Sequence, residues 1–375
     1  MLNKRSSYDK QIVILCTFLA VFVLSACSQN TASPEQILTA ELDKKLDKKL
    51  DKKLETKTNA HKEVLNTPYV EILHQHATDI IAQNTQFNIL GTGYSWSEGP
   101  VWLPKENKLL FSDVPQNTLY QYKEGEGVSV YLKPSGATGI SAHDSSQGGN
   151  GLLLNENNQL VIMQHGDRRI ALMDAPLDDP SAKYISLATM YNGERFNSPN
   201  DGVFHSNGDL YFTDPPYGLK DGRKDIHKGL AFDGIFRLTQ TGQVILEDDS
   251  VLYPNGIVLT NDELRAIVAA SDRNSAKWYE YDVLNDGSLE NKRVFYDASD
   301  LVGKNTEKGL PDGMVVHSKG YVFATGPGGV FVFTESGQLL AKIRTGKATA
   351  NVTLSADEKT LFMTAHDTLM AVSLK

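Results

Sequence analysis

The chain has 375 residues, 40% of them hydrophobic, and a formal net charge of −9. That length suits one large domain or two small ones, and the acidic balance argues against a nucleic acid partner. Its only two cysteines, Cys16 and Cys27, lie at the N-terminal end, so the body has no disulfide, thiolate metal site or cysteine nucleophile.

In chain order, Lys4, Arg5 and Lys10 form a basic start, followed by a nearly continuous apolar run over residues 12–26. The run is too short for a comfortable spanning helix. It ends Leu24-Ser25-Ala26-Cys27, which resembles the lipobox of bacterial lipoproteins, where the cysteine is acylated and becomes the new N-terminus. The expectation is a signal peptide over 1–26, lipidation at Cys27, and membrane attachment through the lipid. Ser28 stands where an inner-membrane retention aspartate would be, which favours the outer membrane facing the periplasm. Residues 27–66 read as a polar and charged spacer. Leu42, Leu46, Leu50 and Leu54 recur in Leu-Asp-Lys-Lys repeats, a narrow stripe that drifts around a helix and holds no heptad seam in register.

Over residues 68–83 the spacing of Val70, Ile72, Leu73, Ile80 and Ile81 predicts a short helix. Beyond it the pattern changes to short strands. Runs beginning at Leu109, Leu160, Leu210, Ala266, Tyr321 and Leu361 share their surroundings and recur roughly every 40 to 55 residues. Each follows a shorter apolar strand and a tight polar turn, and most lead into a third strand and a fourth. Four short antiparallel strands at that period predict propeller blades. Residues 67–375 are therefore expected to form an all-β, six-bladed β-propeller. The last repeat ends after three strands, and residues 87–90 can supply its fourth, closing the ring.

The residues entering the first strand of each repeat are Ser97-Glu98-Gly99-Pro100, Gly149-Asn150-Gly151, Pro199-Asn200-Asp201-Gly202, Pro254-Asn255-Gly256, Pro311-Asp312-Gly313 and Ala350-Asn351. Any one Asn-Gly or Asp-Gly pair reads as a turn. At equivalent places in six blades they converge on one axis. Glu98, Asn200, Asn255 and Asp312 offer only oxygen donors. That set suits one hard divalent cation, calcium ahead of magnesium or manganese, with zinc also considered. Without a cation, the two carboxylates would repel each other. The long connection over 214–234 lies at the same end, where His165 and Asp214 also close their strands.

Tyr94-Ser-Trp-Ser-Glu-Gly-Pro-Val-Trp102, Arg195-Phe-Asn-Ser-Pro-Asn-Asp-Gly202, Tyr211-Phe-Thr-Asp-Pro-Pro-Tyr-Gly218, Tyr253-Pro-Asn-Gly256 and Leu310-Pro-Asp-Gly313 together resemble the senescence-marker-protein / gluconolactonase / luciferin-regenerating-enzyme family. The resemblance runs from about residue 68 to the C-terminus and is stronger to the bacterial gluconolactonases. It implies a six-bladed propeller with one catalytic divalent metal. Glu98, Asn255 and Asp312 would be ligands. Asn200 would bind metal or substrate, and Asp312 would also act as general acid/base. Arg195, His165 and Asp214 would bind substrate. The implied reaction is metal-assisted hydrolysis of a small-molecule lactone. The same centre would also serve an organophosphate or aryl-ester hydrolase, and a non-catalytic ligand-binding or scaffolding propeller is the rival of another class. There is no Gly-x-Ser-x-Gly elbow and no Gly-x-Gly-x-x-Gly fingerprint after a first strand, which disfavours a serine esterase and a nucleotide dehydrogenase.

Overall fold

The structure, a computed structural model, describes Lys48 and residues 67–140 and 147–375. The expected signal peptide, the lipidation site at Cys27 and nearly all of the spacer lie outside the described residues.

Six four-stranded antiparallel units account for the repeats. Blade 1 contains Ser97–Leu103, Lys108–Asp113, Thr118–Lys123 and Gly127–Leu132; blade 2 contains Gly149–Leu154, Leu160–Gln164, Arg169–Met173 and Tyr184–Ala188. Blade 3 contains Gly202–Phe204, Leu210–Asp214, Gly234–Leu238 and Val244–Asp248; blade 4 contains Pro254–Leu259, Arg265–Ala270, Lys277–Val283 and Leu289–Asp297. Blade 5 contains Met314–His317, Tyr321–Gly326, Gly329–Thr334 and Leu339–Arg344. Blade 6 takes three strands from the C-terminus, Thr349–Leu354, Thr360–Ala365 and Thr368–Ser373, and its outer strand from Phe87–Thr92. Phe87 pairs with Val372 and Thr92 with Thr368, so the two ends of the domain close one sheet, as the repeat count requires.

The turn between the first two strands of each blade contains a residue with left-handed φ: Asn107, Asn158, Gly208, Glu263, Gly320 or Glu358. Strand alternation does the rest. Each sheet is apolar on both faces, because each blade packs on two neighbours. Blades 2 and 3 interlock through Phe196, Phe212 and Phe236, and blades 4 and 5 through Trp278, Phe331 and Phe333, all fully buried.

The expected helix over 68–83 is present only in part. Tyr69–Ile72 is a strand that pairs antiparallel with Leu339–Arg344, giving blade 5 a fifth strand, and only Gln75–Asp79 is helical, as a 3-10 turn. Val70 and Ile72 satisfy a two-residue period as well as a helical one. The open edge of blade 5 offers them backbone partners, which the sequence pattern alone does not weigh. Leu73, which a helix would have buried beside them, is 48% exposed, whereas Ala77, Ile80 and Ile81 are fully buried.

Candidate active site

The axial residues owe their orientation to a break in strand register. The inner strands of blades 1, 2, 4 and 6 lose register between Glu98 and Val101, Gly149 and Leu152, Pro254 and Ile257, and Thr349 and Asn351. A bulge re-aims the side chain it carries, here at the entry to four inner strands. At Gly256 the glycine provides something other than a simple turn. Gly256 lies inside a strand without a left-handed φ, and a Cβ on it would come within 2.3 Å of the Asp312 carbonyl oxygen. Glycine is needed there because the next blade's backbone at Asp312 and Gly313 presses against it.

A second device is a row of hydroxyls near the ends of the second strands. Ser112 donates to the Asn150 carbonyl at 2.7 Å, Thr213 to the Asn255 carbonyl at 2.6 Å, Ser271 to the Pro311 carbonyl at 2.5 Å and Thr325 to the Ala350 carbonyl at 2.9 Å. Each of these four blades thereby holds the axial segment of the next. Sequence reading passed over these residues, although a Ser or Thr recurs at this position in the repeats.

The result is a cavity of 770 Å3 whose lining includes Glu98, Asn150, His165, Asn200, Asn255 and Asp312. Four expected ligands and His165 therefore meet in one place. Glu98, 3% exposed, accepts from the Gly99 N–H at 3.0 Å and from the Trp96 indole at 3.4 Å, yet burial pushes its carboxyl up to about 7. Asp312 is raised well above the usual range by burial and then by the charges of Glu98 and Asp201. Its Oδ1 is buried without a hydrogen-bond partner. The Asn255 amide nitrogen donates to Ser271 Oγ at 3.0 Å, which leaves its oxygen as the free end. His165 is held neutral by burial, lowered to about 3, with Nε2 3.3 Å from the Asn150 amide nitrogen.

Asp201 belongs to the same electrostatic group and was not singled out from the sequence. It lines the central channel together with Gly99, Gly202 and Asn351. One oxygen accepts from Gly202 N–H at 2.8 Å and the other from the Asn351 amide at 3.4 Å, while burial raises it to about 7. The adjacent Asn200-Asp201 pair was the available signal.

Arg195 and Asp214 do not line the cavity, against expectation. Arg195 sits on a small hairpin, Met190–Tyr191 with Glu194–Arg195, and its guanidinium donates to the Asp167 carbonyl at 2.6 Å. Asp214 is fully buried and accepts from the backbone N–H groups of Asn197 and Ser198, both at 2.7 Å. Asp113 does the same for Ser95 and Trp96 at 3.0 and 3.2 Å. In each case a carboxylate at the end of the second strand fixes the loop that leads to an axial polar residue.

The fit to a divalent cation rests on the donor chemistry. Three crowded buried carboxyl groups are all destabilised as anions, and one oxygen lacks any partner. Two neutral amides stand beside them. Among the described residues no three His, Cys, Asp or Glu side chains group as a metal site by themselves, so the amides are an essential part of the set. All the donors are oxygen, as a hard cation requires. A further depression of 690 Å3 lies between blades 2 and 3, at the end bearing the tight turns. Of its titratable residues Glu156, His205 and Glu263, the last two face each other at 3.6 Å.

The family model described as SMP-30/Gluconolactonase/LRE-like region matches residues 96–367. A gluconolactonase of Zymomonas mobilis is 34% identical over 301 residues, 79% of this chain and 83% of the relative. A pentonolactonase of Haloferax volcanii is 24% identical over 64% of this chain and 69% of its own length. The solved structure of a gluconolactonase from Xanthomonas campestris aligns with a TM-score of 0.71 and 28% identity, covering 82% of this chain and 95% of that one.

Proposed function

We propose that this chain, which belongs to the SMP-30/gluconolactonase/LRE-like family, hydrolyses sugar lactones with the help of one divalent cation. The observation that carries the reading is the set of buried, charge-frustrated carboxyls at and beside a cavity, with Asp312 Oδ1 unpartnered. Glu98, Asn255 and Asp312 would hold the cation, with Asn200 as a further ligand or a substrate contact. Calcium is the first candidate, ahead of magnesium, manganese and zinc. When bound, a cation of this kind polarises the lactone carbonyl and offsets the charge that builds on its oxygen.

The chain's own groups do the rest. Trp96 and Tyr217 line the cavity and offer flat faces to the sugar ring. Asp312, whose carboxyl burial and the neighbouring carboxylates make a readier proton acceptor than an ordinary aspartate, takes the proton of the attacking water. The water oxygen bonds to the carbonyl carbon, the ring C–O bond breaks, and the departing alkoxide takes back from Asp312 the proton that came from the water. The product is the open-chain hydroxy acid. Neutral His165 is placed to hydrogen-bond a substrate hydroxyl.

The test is turnover of glucono-δ-lactone by chelator-stripped protein with each cation restored singly. Asp312→Asn is expected to lower turnover at least a hundredfold. In chelator the same variant should melt no lower than the wild type, because it removes a crowded buried charge. Only the wild type should then gain stability from the cation, about 2.7 kcal/mol at a concentration 100 times its Kd. Cation binding without turnover of any lactone would favour a phosphotriesterase or a ligand-binding propeller instead.

The envelope location is also part of this proposal, supported by the Leu24-Ser25-Ala26-Cys27 sequence alone. Acylation at Cys27 would carry the protein into the detergent phase, and Cys27→Ala should leave it in the aqueous phase or unprocessed. Outer-membrane attachment predicts co-sedimentation with that membrane on a density gradient.

A further inference from the structure

We infer that the substrate is a sugar lactone bearing an oxyanion, a carboxylate or a phosphate, at the end remote from its reacting carbonyl, and that Arg273 and Lys304 recognise it. The inference rests on the lactonase reading above and narrows its substrate class.

The cavity is chemically lopsided. Trp96 and Tyr217 line it from blades 1 and 3, whereas Arg273, Lys304 and Lys308 all come from blade 4 and its connection to blade 5. Glu307, the acidic residue beside them, is neutralised: Arg344 holds both its oxygens, at 2.8 and 2.6 Å. Glu98 and Asp312 belong to the proposed cation set. Lys308 donates to the Gly346 carbonyl at 2.9 Å. The side chains of Arg273 and Lys304 remain exposed, with no hydrogen bond or ion pair to another described residue. Two uncommitted cations on one wall of the cavity stand out in a chain whose formal net charge is −9.

The segment that presents Lys304 is built to a fixed course. Its N–H bonds the Leu301 carbonyl at 3.2 Å, its carbonyl accepts from Glu307 N–H at 3.0 Å, and the Lys308 carbonyl accepts from Gly328 N–H at 2.8 Å. Arg344 ties the same segment to Glu71 on the fifth strand of blade 5, at 2.8 Å. Arg273 is two residues beyond Ser271, the hydroxyl that holds both Asn255 and the Pro311 carbonyl. The cationic wall is thus anchored to the same framework as the proposed ligands. A neutral lactone gains nothing from it. An anionic one would be oriented with its charged end on this wall and its ring carbonyl toward Glu98 and Asp312.

The experiment compares kcat/KM for three lactones on the cation-loaded full chain: neutral glucono-δ-lactone, a glucaric acid monolactone carrying a carboxylate, and the phosphorylated analogue of glucono-δ-lactone. At least one anionic lactone should exceed the neutral one, and whichever does names the oxyanion. In the double variant Arg273→Gln/Lys304→Gln, the anionic-to-neutral ratio should fall about tenfold, the effect of a partly desolvated charge contact. The wild-type preference should shrink in high salt, while the variant's ratio should respond little. Equal ratios in wild type and variant would overturn the inference while leaving the lactonase reading intact. Thermal stabilisation by glucarate against gluconate gives a readout that does not depend on turnover. If glucarate stabilises no better than gluconate, or equally well in the variant, the cationic wall is only a solvated rim.

Discussion

His165 illustrates how burial alone can fix a side chain's chemistry. It is 2% exposed, no carboxylate faces it within bonding distance, and its pKa is lowered from 6.5 to about 3 by desolvation. The imidazole is therefore neutral at any pH where the protein works. With the Asn150 amide nitrogen at Nε2, the acceptor role falls to that nitrogen and the proton to Nδ1. The linkage has a definite sign. The folded state binds fewer protons than the unfolded chain, so this group's contribution is fully present above about pH 6.5 and is lost as pH falls toward its folded pKa. Asp214, raised from 3.8 to about 7 by burial, acts in the opposite sense: its contribution is present below its ordinary pKa and lost as pH rises through about 7. Urea midpoints measured from pH 7 to pH 4 should fall more steeply for wild type than for His165→Gln. Parallel curves would mean that His165 is solvated and free to protonate, which would also remove it as a neutral hydrogen-bonding group for substrate.

At the level of the strand, the site is positioned by pairs of neighbouring blades. Ser271, on leaving the second strand of blade 4, accepts from the Asn255 amide and donates to the carbonyl beside Asp312. It therefore orients two proposed ligands on different blades. Ser112 makes the equivalent bond from blade 1 to the Asn150 carbonyl, and Asn150 is not one of them. Ser112→Ala should cost about 1–2 kcal/mol for one lost buried hydrogen bond, and Ser271→Ala, which loses two, should cost more. Only Ser271→Ala should also weaken cation binding, by about tenfold, because its loss frees the ligands to reorient. Calorimetric titration of both variants decides this. The same contrast shows what could be read in advance. Glu98, Asn200, Asn255 and Asp312 were legible because they recur in phase with the repeats. Arg195 and Asp214 were misplaced because a polar residue at the right end of a strand can serve a loop as well as a cavity. Only the two N–H groups received by Asp214 distinguish the two. Arg273 and Lys304 sit in connections that follow no repeat, so no periodicity could place them.

At the scale of the molecule, the propeller depends on two N-terminal segments that do different work. Phe87–Thr92 closes the ring by pairing with Thr368–Ser373. The segment before it braces the outside. Tyr69–Ile72 extends blade 5, Ala77, Ile80 and Ile81 pack fully buried among residues of blades 5 and 6, and the Ile80 carbonyl accepts from Lys375 N–H at 2.9 Å. A chain starting at residue 84 keeps the closed ring but loses this packing. Burying a side chain such as Val or Ile is worth about 1.5–3 kcal/mol, so its melting temperature should fall by several degrees or more, while the axial site keeps all its proposed ligands and its hydrolytic rate below that temperature. A chain starting at residue 93 additionally loses the outer strand of blade 6. Thr368–Ser373 then becomes an open edge of unpaired backbone groups, which invites strand addition between molecules. That shorter chain should lose its single cooperative transition and associate. Scanning calorimetry and light scattering on the two truncations distinguish bracing from closure. If both melted cooperatively as monomers at the same temperature, the six blades would be held by side-chain packing between sheets, and the shared blade would be a consequence of the fold instead of its fastening.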